Sequence, residues 1–246
     1  MTTPAKSKNS PHNTRRRNVI ITSLLITVIT ISLCAYLFMG DNNDVVHVKS
    51  ETELVRAIDN IKISGSAVIV LDKDIDLTTT ITIPARKNIT LTSNGNNEFK
   101  LIGADCAATL YVGTGGVLVL DGIVVTHADG TDGHGVDNYG TVIMYSGMIS
   151  GNTVRLSSGG GVFTNGVFEM HGGAIVNNVA RVSGGGVYIM GEFSMFGGVI
   201  SGNAVSGLGG FGGGGVYRYE YGGTFKWVGG EIYGNTADNN ENIYDP

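Results

Sequence analysis

The sequence predicts an all-β chain, a right-handed parallel β-helix solenoid of about six coils, with an N-terminal capping helix and a separate transmembrane helix. Three observations carry this. Glycine reaches 39 of 246 residues against only 4 prolines, roughly twice ordinary usage and without the G-X-Y period of collagen. After residue 66 the chain repeats itself at a spacing near 25 residues. Within each repeat apolar and polar residues alternate, which is the period of a strand with one buried face.

The repeat is plainest in four stretches, from Gly135-Val136 to Asn152, Gly161-Val162 to Asn178, Gly186-Val187 to Asn203 and Gly215-Val216 to Asn235. In the middle two it reads GGV-[FY]-x-x-G-x-F-x-M-x-GG-x-I-x-x-N. Six and eight residues after the leading valine come Val142 and Met144, Phe168 and Met170, and Phe193 and Met195; the fourth copy, with three extra residues, has Phe225 and Trp227. The same rule reaches back to Val112, Leu118 and Leu120, and to Ile83, Ile89 and Leu91. Leading positions then fall at Ile83, Val112, Val136, Val162, Val187 and Val216, spaced 29, 24, 26, 25 and 29 apart. Each apolar run is short and no helical pattern separates the runs, so the coils contain strands alone. Like residues then stack as ladders, Ile149, Ile175, Ile200 and Ile232 forming another. Asn152, Asn178, Asn203 and Asn235 end a strand, where Asn tolerates a left-handed backbone and its amide can ladder. The glycine pairs before each Val and each Ile strand are expected to supply positive φ at corners.

A solenoid needs its open ends covered. Val45, Val46 and Val48 suggest an opening strand, and Ser50-Glu51-Thr52-Glu53 is a capping-box pattern starting a short helix to about Asn60. Leu54, Val55, Ile58 and Ile61 share its apolar face. The insertion Arg218 to Gly223, with Tyr217, Tyr219 and Tyr221, either folds over the far end or makes a protruding loop.

Location follows from the N-terminus. Residues 1–17 form a basic tail, expected to be a disordered cytoplasmic segment, and 18–39 a transmembrane anchor, with Val19 to Met39 free of charge. Such a run spans about 30 Å of hydrocarbon. Arg15, Arg16 and Arg17 on one side, with Asp41 and Asp44 on the other, put the N-terminus inside and the body outside. The alternative is a cleaved signal peptide and a secreted body, although the apolar run is long for one and Phe38-Met39-Gly40 is a poor cleavage site. Residues 40–66 are then linker, opening strand and capping helix, and 67–246 the β-helix. Five of the 16 basic residues precede the apolar run and all 21 acidic residues follow it, so the body carries 11 basic against 21 acidic. That excludes nucleic acid as a natural partner. Cys34 and Cys106 are too separated in kind of segment to form a disulfide framework.

The GGGV[FY] and GG-x-I-x-x-N units resemble the pectate-lyase-like adhesive domains of bacterial surface proteins and the adhesin-like proteins of methanogenic archaea. The resemblance covers about residues 45–246 and includes the helix Thr52 to Ile61 and the run Ile81 to Leu91. Chlamydial polymorphic membrane proteins share glycine-apolar repeats, but their F-x-x-N motif is missing here. The resemblance implies a non-enzymatic surface protein binding carbohydrate or another surface protein, with the aromatics Tyr188, Tyr217, Tyr219 and Tyr221 as candidate contacts.

The superfamily also includes polysaccharide lyases and glycoside hydrolases, which is the alternative reading. Gly133-His134-Gly135 matches one short polygalacturonase motif, but the companion motifs of those enzymes are absent from the sequence, and His134 falls at a turn in register with Gly160 and Gly185. Lyases of this fold hold calcium on carboxylates. Asp72, Asp74 and Asp76 alternate in sequence as if along one strand face and are the candidate calcium ligands, oxygen donors suiting that ion. Asp129, Asp132 and Asp137 read as one loop, Arg86-Lys87 as surface charge, and His47, His127 and His171 receive no role.

Overall fold

Like side chains one coil apart can stack only if strands run parallel and in register, and that is the architecture found. The structure, a computed structural model of the 246-residue chain, describes residues 44–95, 98–207, 212–237 and 242–246. The transmembrane segment expected at 18–39 lies outside them. Among the described residues no helix is long and apolar enough to cross a membrane.

Residues Asp44–Pro246 form a parallel β-solenoid of about seven turns. Three long parallel sheets wrap it, with a short fourth of Thr153–Val154, Val179–Ala180 and Ala204–Val205. The first runs from Asp44–Val48 through Ser66–Leu71, Asn88–Ser93, Val117–Asp121, Thr141–Met144, Val167–Met170 and Glu192–Met195 to Thr224–Trp227. The second stacks Ile81–Ile83, Leu110–Val112, Val136–Asn138, Val162–Thr164, Val187–Ile189, Val216–Arg218 and Ile243–Tyr244. The third stacks Ile75–Asp76, Lys100–Gly103, Val124–His127, Met148–Ser150, Ala174–Val176, Val199–Ser201 and Glu231–Tyr233. The turn count exceeds the expected six because the opening strand pairs directly with Ser66–Leu71 and Ile243–Tyr244 adds a rung at the other end.

The ladders hold as expected over most of the length. Leu91, Leu120, Met144, Met170, Met195 and Trp227 follow one another, as do Ile89, Leu118, Val142, Phe168, Phe193 and Phe225. The phenylalanines stack with ring centroids 4.9 and 5.3 Å apart. One register differs. Val136 pairs with Leu110, and Val112 sits opposite Asn138. The turn from the second sheet into the first is two residues shorter from Asn138 onward, so the leading position moves by one inward step. Asn138 is fully buried there, donating to Thr164 Oγ1 (3.0 Å) and the Val167 carbonyl (2.9 Å) and accepting from the Gly140 N–H.

Asn152, Asn178, Asn203 and Asn235 form a buried amide ladder whose geometry corrects two expectations. Each Oδ1 of Asn178, Asn203 and Asn235 accepts from both the backbone N–H and the Nδ2 of the preceding asparagine, at 2.8–3.0 Å. The Nδ2 groups also donate to Ile149, Ile175 and Ile200 carbonyls. The asparagines are not left-handed. That conformation belongs to the residue before each: Gly151 (φ 68), Asn177 (φ 56), Gly202 (φ 66) and Gly234 (φ 63). Nor is positive φ the reason for glycine before each leading valine. A Cβ on Gly135 would come within 2.7 Å of Asn152 Nδ2, and one on Gly215 within 2.6 Å of Asn235 Nδ2. Those glycines make room for the amides, whereas Gly147, Gly173, Gly198 and Gly230, before the Ile strands, do take φ of 79 to 89.

His127, given no role by sequence, heads this ladder. It is buried, with Nδ1 2.8 Å from Asn152 Oδ1 and Nε2 2.9 Å from the Ala107 carbonyl oxygen. A Cβ on Gly133 would overlap both that carbonyl and the imidazole. Gly133 of the Gly-His-Gly tripeptide therefore serves packing. At the other end Asn242 Oδ1 accepts from the Asn235 N–H at 2.8 Å.

The helix Glu51–Asn60 lies after the first strand and adds Leu54, Ala57 and Ile58 to the core. Val55, expected on that face, is 39% exposed, because burial follows the 54, 57, 58 stripe and 55 falls off it. Ser50 Oγ accepts from the Glu53 N–H (3.3 Å), and the Glu53 carboxylate reaches the Lys49 N–H (2.7 Å), one residue earlier than the reciprocal bond of a capping box. Lys87, expected to be surface charge, donates Nζ to the Ile58 and Asp59 carbonyls (2.7 and 3.1 Å), a cation on the helix C-terminus. Glu51 accepts from the backbone and side chains of Thr78 and Thr79 at 2.7–2.9 Å. Partial burial opposes its ionisation, but these four bonds outweigh it and hold the carboxyl below its ordinary range.

Asn178→Ala strips one ladder rung and leaves the buried Asn152 backbone N–H unpaired, so it is expected to cost about 3 kcal/mol in urea unfolding. Asn177→Gly, one residue away at an exposed left-handed site, is expected to be neutral or mildly stabilising. Because the Glu51 pKa is lowered on folding, its contribution is present above the ordinary carboxylate range and is lost as pH falls through the folded value. The urea-midpoint gap between the wild type and Glu51→Gln should therefore shrink between pH 7 and pH 3; a gap that widened on acidification would refute the helix–corner tie.

Candidate functional site

Alternation along each strand of the second sheet points one residue outward next to the buried apolar positions. In register these are Thr82, Tyr111, Asp137, Phe163, Tyr188, Tyr217 and Tyr244. Phe163, Tyr188, Tyr217 and Tyr244 stack face to face, with centroids 5.5, 5.3 and 4.8 Å apart and ring planes within 14°. Tyr139 supplies the ring missing at Asp137, from two residues further along. Its ring lies 5.7 Å from Tyr111 and 6.1 Å from Phe163, tilted by 39° and 38°. The result is a stripe of six rings down one face of the solenoid. Stacking covers the ring faces, so the stripe presents ring edges and phenol groups.

Of the four candidate tyrosines, the structure brings all into one neighbourhood but does not leave them equally open. Tyr217 is buried and Tyr188 and Tyr219 half-buried, because their rings are ladder members or lean on it. Tyr221 alone is largely exposed, at 80%. It meets Tyr219 edge to face at 5.6 Å, on a turn closed by the Gly223 N–H donating to the Tyr219 carbonyl at 3.0 Å. The insertion is thus a protruding turn beside the stripe. Burial, then the neighbouring Tyr219, raises the Tyr188 phenol; burial, then Tyr244 and Tyr188, raises that of Tyr217. Both phenols stay protonated donors at neutral pH.

Asp137 interrupts the stripe. Its Oδ1 is buried and makes no hydrogen bond, the one such side-chain atom among the described residues. Burial raises its pKa, opposed by the nearby charge of His134. His134 is itself anchored, Nδ1 lying 2.8 Å from the Gly159 carbonyl oxygen, with its ring 6.1 Å from Phe163. The structure therefore separates Asp137 from the acidic loop with which the sequence grouped it. Asp132 of that loop instead accepts from the Arg155 N–H (3.0 Å), and Asp105 accepts from the Asp132 N–H (2.8 Å). Asp105, burial and Asp132 raise the thiol of Cys106 beside them, which lowers its reactivity.

The candidate calcium ligands do not share a strand. Asp72 and Asp74 sit in the bend between Ser66–Leu71 and Ile75–Asp76, and only Asp76 is in the latter strand. Asp72 meets His47 Nδ1 (2.8 Å) and accepts from Asn94 Nδ2 (2.8 Å), with Lys49 at 3.9 Å; these hydrogen bonds, led by His47, lower its pKa. Asp74 accepts from the Lys100 N–H at 2.9 Å. Among the described residues no three His, Cys, Asp or Glu side chains gather as a metal site. An open cleft of about 560 Å³ beside the helix is lined by Glu51, Val55 and Arg56, and its central carboxylate is the one already tied to Thr78 and Thr79.

A second outward row lies on the corner after the first sheet. His171 stacks between Tyr145 (5.1 Å) and Phe196 (4.8 Å) and meets Glu169 at 3.2 Å, with Lys226 Nζ 5.9 Å from the Phe196 ring. The sequence gives His171 no role, since the members of this row stand at corners outside the alternating pattern.

These features define a parallel β-solenoid of about seven turns with an aromatic stripe along its second sheet. No protein-family model, curated protein or solved structure matches the chain.

Proposed function

We propose that this chain is a surface binding protein, a right-handed, pectate-lyase-like β-helix of the adhesin-like kind, held outside the plasma membrane by residues 18–39. It binds an extended carbohydrate along the second sheet without catalysis. The stripe of six rings is the observation that carries the reading. Its rungs repeat at about 4.8 Å, close to the length of one sugar unit in an extended chain, and its phenols are donors and acceptors in a row. Ring edges with hydroxyls suit contacts to sugar hydroxyls, and Tyr219 and Tyr221 add a side wall. Repetition along a rigid rod favours many weak contacts over one deep pocket.

A polysaccharide lyase or hydrolase is the second reading, favoured by the half-buried carboxyl of Asp137 beside His134. Glycoside hydrolysis takes two carboxyl groups flanking one bond, and Asp137 is the single carboxylate among the outward residues of the stripe.

The test is a glycan and whole-cell binding screen with the full chain in detergent micelles. Retention is expected on one glycan class, weakened about tenfold by Tyr219→Ala/Tyr221→Ala with little change in urea midpoint. No retention above a control β-solenoid lacking the stripe would sink the binding reading. Cleavage of uronic-acid polymers in the same incubation, with or without calcium, would replace it by the enzymatic one.

A further inference from the structure

We propose that the ligand of the stripe carries a positive charge, a carbohydrate with free amino groups, and that Asp137 receives that charge between the rings of Tyr111, Tyr139 and Phe163. The proposal rests on the reading of the second sheet as a binding face.

The register states the anomaly. From Tyr111 to Tyr244 every outward rung of the second sheet holds an aromatic ring except the one at Asp137, which lies directly between Tyr111 and Phe163. A ring at that position would continue the stack. Tyr139 fills the gap only loosely, at 5.7 and 6.1 Å with tilts near 40°, against 4.8–5.5 Å and at most 14° at the later rungs. The rung thus gives up ordered stacking for a carboxylate. That carboxylate then buries Oδ1 without a hydrogen bond, an arrangement that costs stability in a folded chain. His134 does not relieve it by a hydrogen bond, since its Nδ1 is turned to the Gly159 carbonyl. An unpaired carboxylate oxygen in a row of phenol groups is what an organic ammonium is recognised by, the carboxylate supplying the charge and the Tyr111 and Tyr139 hydroxyls further acceptors. The body's excess of acidic residues, 21 against 11 basic, works in the same direction by drawing cations and repelling polyanions.

A free amino sugar meets these demands where its N-acetylated form does not, because acylation removes the charge and leaves the ring shape. Binding of the full chain in micelles is compared on three probes: β-1,4-linked glucosamine oligomers, the matching N-acetylglucosamine oligomers and oligogalacturonate. The free-amine oligomer is expected to bind about tenfold tighter than its acetylated counterpart, oligogalacturonate least. Asp137→Asn is expected to erase the difference between the free and acetylated oligomers. Asp137→Phe, which completes the stack, is expected to erase the preference and raise the urea midpoint. Equal binding of the free and acetylated oligomers, or a preference that survives Asp137→Asn, overturns the charge assignment and leaves the stripe as a neutral-sugar face. A loss of stability in both variants overturns it too, by making Asp137 a structural residue. Retention of none of the probes and of nothing in the wider screen removes the binding face itself.

Discussion

The buried amide ladder from Asn152 to Asn235 constrains nearly everything else in the coils that hold it. A primary amide out of water is tolerable only when its acceptor and donors are all engaged, and each rung engages them with the next coil. That fixes where every coil must close. Each coil has to bring its asparagine under the previous one to within hydrogen-bond length. The residue before it must turn left-handed, and the glycine before the leading valine must lack a side chain so that the amide fits. The spacing is 26 and 25 residues where the corners are tight and 32 between Asn203 and Asn235, where the Tyr219–Tyr221 turn and a longer corner intervene. Coil length varies at the corners because the ladder holds the strands.

The ladders that sequence makes legible are those with chemically alike rungs. Phe168 over Phe193 and Met170 over Met195 repeat both spacing and side chain, so the rule that finds them also finds Ile89 under Leu118. It misplaces Val112 for a physical reason: a turn shortened by two residues returns the same alternation in a frame shifted by one inward step, and Asn138 then occupies an apolar place. The glycines were visible as corners, but their division into positive-φ positions and positions needed for close approach depends on what lies one coil away. His127 looked isolated because its partners, Asn152 and Ala107, are 25 and 20 residues distant. The carboxylates at 72 and 74 read as a strand face because alternation does not reveal a bend.

The candidate site was half legible. The sequence carries Phe163, Tyr188 and Tyr217 after the leading residue, with Tyr111 before it, and the tyrosines at 188, 217, 219 and 221 do gather. What the sequence hides is that stacking buries the ring faces of the first two, and that the ring at 139 reaches over a carboxylate at 137. The stripe and the amide ladder share one rung spacing, so the order imposed inside the solenoid is what aligns the groups presented outside it. The outward row is continuous only where the inward register is.

The amide ladder also has a direction. Every asparagine donates its backbone N–H and Nδ2 to the Oδ1 of its C-terminal neighbour, His127 stands at the head against Asn152 Oδ1, and Asn242 receives at the tail. A coil inserted between head and tail meets a matching acceptor below and matching donors above, whichever coil it copies. A coil added before Asn152 would meet His127 in place of an amide. Duplication is therefore cheap in the interior, and the three most alike copies, Gly135 to Asn152, Gly161 to Asn178 and Gly186 to Asn203, lie there. The number of coils is a quantity this chain can change by internal copying alone, lengthening its outer face by one rung at a time.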